Sequence, residues 1–65
     1  MRFIKLPEVE HMTGKKKSAI FKEMKLGTFP ENVPQGGSGR AKAWVDDEII
    51  AWMQERINER NNPSQ

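Results

Sequence analysis

Lys15, Lys16, Lys17, Lys22 and Lys25 lie within one short stretch of this chain, and Glu23 is the single carboxylate among them. Ammonium groups are strongly hydrated point charges with three donors each, so the chemistry on offer is attraction of a polyanion rather than proton or group transfer. Arg40 and Lys42 extend the set past a glycine-rich tip, Gln35-Gly36-Gly37-Ser38-Gly39. Residues 15–42 hold seven cations against Glu23 and Glu31, a net +5, whereas residues 1–14 balance to zero and residues 43–65 carry a net −3. A net charge of +2 for all 65 residues conceals this segregation. An anionic partner should dock on the middle of the chain.

Other chemistries find little support. His11 is the only histidine and cysteine is absent, so a metal site would need a carboxylate remainder, and a solvent-facing helix residue explains His11 better. Asp46, Asp47 and Glu48 are consecutive and point in different directions on a helix, where capping accounts for them. Thr13, Ser18, Thr28, Ser38 and Ser64 have no activating base at a recognisable spacing. A phosphate-binding loop ending at Gly14-Lys15 would need glycine where Val9 stands and serine or threonine where Lys16 stands. No catalytic residue, metal or cofactor is expected. No apolar run approaches the roughly 18 residues of a membrane span, and Met1–Leu6 is too short and charged for a signal peptide, so a soluble intracellular protein is anticipated.

The elements that would hold the lysines follow from punctuation and period. Arg2-Phe3-Ile4-Lys5 reads as an extended lead-in that tucks Phe3 or Ile4 under the domain. Leu6, Val9 and Met12 recur every three residues, Pro7 suits a first helical turn, and Gly14 stops the helix at about Met12. A second helix from about Lys16 to Leu26 ends at Gly27, with Ile20 and Met24 inward at i, i+4. Two helices joined by so tight a turn form a helix-turn-helix, whose second helix normally enters the major groove. Val33 and Ala43-Trp44-Val45 flank the glycine tip as a β-hairpin, with Trp44 packed on the helices. A last helix starts near Asp46 or Asp47, and Ile49, Trp52, Met53 and Ile57 define its buried stripe, with Ile50 off it. The fold expected is mainly α with a small β-hairpin, a winged helix-turn-helix of three helices plus wing. It spans residues 1–60 as one domain, with 61–65 a flexible tail.

Geometry divides the roles. Lys16, Lys17 and Ser18, near the start of the second helix, are placed for base edges or flanking phosphates, while Lys22 and Lys25 act as phosphate clamps, and Lys15 at the turn joins them as an expected DNA contact. Phe21 either completes the core, the favoured reading, or touches sugar or a thymine methyl. The tip with Arg40 and Lys42 is read as a wing on the neighbouring groove or backbone, an inert loop being the alternative.

The ordered series Arg2–Val9, Thr13-Gly14, Ile20-Phe21, Gly27-Thr28-Phe29-Pro30, the glycine hairpin with Arg40, and Ala43-Trp44-Val45 followed by Ile49 and Ala51-Trp52-Met53 resembles the AlpA family of phage and prophage regulators. That family is related to the excisionases and to the DNA-binding domains of the MerR superfamily. The resemblance covers about residues 2–57. It implies a cytoplasmic, nucleoid-associated regulator of an integrated element that binds double-stranded DNA, with an influence on excision. It aligns the segment after Gly14 with the recognition helix and Arg40 with the basic residue of the wing. Lys16 stands where the family usually has a capping serine, and Phe21 where it usually has tyrosine. A different class of function stays open: an interaction module whose last helix, through Ile50, recruits a recombinase or integrase or a second copy, with cooperative binding on DNA compatible with both.

Overall fold

The computed structural model describes residues 1–36 and 41–61. Two glycines set the helical framework. Gly14 adopts φ 75° and its N–H donates to the Glu10 carbonyl at 2.8 Å, which ends α1 (Leu6–Thr13). Gly27 adopts φ 81° and closes α2 (Lys17–Leu26), with its N–H on the Met24 carbonyl and the Thr28 N–H on the Glu23 carbonyl. A Cβ at either glycine would meet nothing within 4 Å, so the positive φ alone selects the residue.

The strands are short. β1 (Phe3–Ile4), β2 (Val33–Pro34) and β3 (Lys42–Val45) form one antiparallel sheet in the order β1-β3-β2. In register, Phe3 faces Val45, Ile4 faces Trp44, Val33 faces Ala43 and Pro34 faces Lys42. Pro34 is tolerated because β2 is an edge. The lead-in expected from sequence is therefore a third strand. The reciprocal bonds of Arg2 with Asp46 fasten it: the Arg2 N–H donates to Asp46 Oδ1 at 2.8 Å, and the Asp46 N–H donates to the Arg2 carbonyl at 2.9 Å.

α3 (Asp46–Asn61) follows β3 without a loop. Three helices and a small three-stranded antiparallel sheet make a mainly helical architecture, consistent with the winged helix-turn-helix expected. The core takes one or two side chains from each main element: Ile4, Val9, Ile20, Phe29, Trp44 and Ile49 are buried together, with Leu6, Met12, Met24, Trp52 and Met53 packed around them. Ile57 departs from expectation. It is 40% exposed, because only Ile49 of α3 is fully covered and the helix runs on past the elements that could cover its later turns. Ile50 is exposed, as its position off the stripe implied.

Candidate nucleic-acid interface

Ile20 is fully buried in α2, with Met24 packed beside the core, and the helical period turns the opposite face outward. That outward face consists of Lys17, Ser18, Phe21, Lys22 and Lys25, all exposed. The residues stand at i, i+1, i+4, i+5 and i+8, so they are neighbours over more than two turns. Lys16 precedes them as the N-cap, exposed and extended at φ −90°, ψ 163°, and makes no side-chain cap bond. With no side chain closing the first turn of α2 and no acid in it, the positive end of the helix dipole and the lysines add in the same place.

Lys15 behaves differently from its neighbours. Its Nζ donates to Glu23 Oε2 at 2.7 Å, lies 5.6 Å from the Trp52 ring centroid, and the side chain is only 25% exposed. Sequence reasoning looks for partners at i+4, whereas this pair is eight apart and forms because Lys15 precedes the helix and folds back along it. The turn itself is tied down by Thr13, whose hydroxyl donates to the Val9 carbonyl at 2.8 Å and accepts the Lys15 N–H at 3.3 Å.

Phe21 is at the rim rather than in the core. Its ring is 39% exposed and rests edge-on against buried Trp44 at 6.1 Å. Thus one aromatic edge backs onto the sheet while the other joins the lysine face. Lys42 is exposed on β3 opposite Pro34, next to the hairpin tip, where the Gln35 N–H donates to the Ala41 carbonyl. Arg40, the expected wing cation, lies outside the described residues. Sequence reasoning did not identify the buttress behind α2. Trp44 Nε1 donates to the Pro30 carbonyl at 3.1 Å and Trp52 Nε1 to the Thr28 carbonyl at 2.8 Å, so two indoles pin the segment that leads from the lysine helix to the hairpin. Phe29, buried and edge-on to Trp52 at 4.9 Å, completes that support.

Comparison with known proteins places the chain in a family. The family model for the prophage CP4-57 regulatory protein (AlpA) matches residues 2–57. The chain belongs to the AlpA family. An uncharacterized protein, ORF88 of Enterobacteria phage P4, is 41% identical over 56 residues, covering 86% of this chain. The chain spans 61% of that relative's length. No solved structure matches the chain. Membership covers every described element of the AlpA-family fold except the end of α3. No described helix is long and apolar enough to cross a membrane.

Proposed function

We propose that this AlpA-family protein regulates transcription of a phage or prophage element by binding duplex DNA, with α2 in the major groove and the β2–β3 hairpin on the flanking backbone or minor groove. The observation that carries the reading is the outward face of α2, where three lysines, a serine and an aromatic edge are exposed together without an intervening acid. Lys16 at the uncapped start and Lys42 beside the hairpin tip extend the same charge. Ser18 and the Phe21 edge are the groups suited to base edges, while Lys16, Lys17, Lys22, Lys25, Lys42 and Arg40 suit phosphates. Lys15, engaged by Glu23 and Trp52, serves chiefly to fix the turn. The site of action is the bacterial cytoplasm, on the nucleoid, and no enzymatic activity is called for. The arrangement resembles that of excisionases and of the MerR superfamily, and an influence on excision follows if an integrase gene is adjacent.

Fluorescence titration of labelled duplex at several salt concentrations tests the reading. About five or six phosphate-facing cations should give a fall of log K against log salt with a slope of roughly −4.5 to −5.5. A flat response would sink it. Arg60→Glu is the fitting control for a charge change off the site, because Arg56 is held between Trp52 and Glu59 and its replacement would disturb packing.

A further inference from the structure

Where α3 passes the Thr28–Pro30 segment it leaves an open groove of about 730 Å³. Phe29, Pro30 and Trp52 supply an apolar, largely aromatic lining, and Glu48, Glu55 and Glu59 stand along the α3 side at i, i+7 and i+11. Arg56 is the one cation in the lining, so the groove is net anionic on a molecule whose DNA-facing helix is cationic. That sign repels nucleic acid.

Two side chains already show what the Trp52 surroundings accept. Lys15 approaches one ring position with Glu23 as its counter-ion, and the Arg56 guanidinium lies 5.4 Å from the same ring centroid with Nη2 on Glu59 Oε2 at 2.7 Å. A cation held over an aromatic face and clasped by a carboxylate is thus repeated on one residue. Arg56 already engages Glu59, whereas Glu55 comes only within 3.9 Å of the guanidinium and Glu48 forms no ion pair among the described residues, which leaves carboxylate capacity along the α3 side.

We propose that this groove docks a cationic peptide segment of a different protein, seating its basic side chains on Glu48 and Glu55 beside Trp52 with an apolar neighbour on Pro30. The occupant is argued from charge and from the resident cations, and does not depend on the DNA reading. A second copy of this chain fits less well, because the cationic surface it would offer is the α2 face itself.

The full chain is titrated with an acetylated peptide of alternating arginine and leucine while amide and indole N–H shifts are followed by NMR. Shifts at Thr28, Glu55 and the Trp52 indole are expected, and they should persist when duplex DNA is already bound. Replacing both carboxylates, Glu48→Gln with Glu55→Gln, should weaken the peptide by about fivefold to tenfold, since exposed ion pairs contribute modestly. Both residues are exposed, so folding should survive, and the thermal melt checks it. Glu10→Gln with Glu31→Gln removes the same charge elsewhere and should leave the peptide affinity unchanged. Shifts confined to other surfaces, or equal weakening by the two double variants, overturn the proposal. So does concentration-dependent broadening of the groove resonances without peptide, which would make a second copy the occupant. Loss of DNA binding alone would reject the proposed function and leave the groove standing.

Discussion

Two lysines only two positions apart illustrate how little a residue type says without its surroundings. Lys15 is spent on Glu23 and Trp52, while Lys17 heads the outward face of α2 with no acid in its turn. Lys15→Ala should therefore lower the unfolding free energy by about 1 kcal/mol, measured by urea denaturation, with a small effect on DNA. Lys17→Ala should do the reverse, leaving the denaturation midpoint in place, weakening all duplexes alike and reducing the salt slope by about 1. Asp46 provides a pH test. The hydrogen bond from the Arg2 N–H, helped by that from the Asp47 backbone, holds its carboxyl below the ordinary range. A depressed folded-state value stabilises the fold above the unfolded carboxylate pKa and is lost as pH falls through the folded one. The melting temperature of the protein should thus drop on acidification below the ordinary aspartate range, and Asp46→Asn should flatten that part of the profile. The Arg2 guanidinium, raised by its hydrogen bond to Glu8, stays charged throughout and adds nothing to this window.

At the level of elements, Gly14 and Gly27 carry the turn geometry that aligns α1, α2 and the hairpin. Gly14→Ala or Gly27→Ala should each cost about 1–2 kcal/mol in thermal unfolding, since an L side chain gains no clash and no contact there but must hold a left-handed φ. Both helix ends were readable from sequence for this reason: a glycine after a periodic apolar run is a local signal. β1 was not. Two residues show no alternation, and Phe3-Ile4 becomes a strand only because Ile4 can be buried opposite Trp44, a partner that local pattern cannot reveal. Ile57 was misjudged for a related reason. Periodicity assigns it to the inner stripe of α3, but says nothing about where the neighbouring elements end. Among the candidate contacts, Ser18, Lys22 and Lys25 were legible because they oppose Ile20 and Lys17 because it opens the helix, whereas the withdrawal of Lys15 depended on a carboxylate two turns away.

For the molecule as a whole, a small core supports a segregated charge. Seven residues are buried as hydrophobic core, Ala43 among them, so each is a large share of the stabilising contacts. Ile20→Ala, which empties the space directly behind the lysine face, should cost about 2–5 kcal/mol and lose the cooperative melt near room temperature, as followed by circular dichroism. The acids of α3 and the lysines of α2 also make the protein strongly dipolar. Such a charge distribution orients a protein toward a polyanion on approach and makes association rates fall with added salt.

The bracket between Arg2 and Asp46 has a kinetic side as well. The two residues are 44 positions apart, and β3 lies between β1 and β2, so the sheet cannot be completed until the chain has been made through Val45. α1 and α2 can form from local contacts, yet the side chains that seal them, Ile4 and Trp44, come from well-separated parts of the sequence. Closing that long loop carries an entropic toll before it returns any contact, which slows folding relative to a helical hairpin of the same length. During synthesis the lysine helix therefore emerges well before its supporting sheet. The lysine face gains its backing only when the start of the chain finds the strand that was made last.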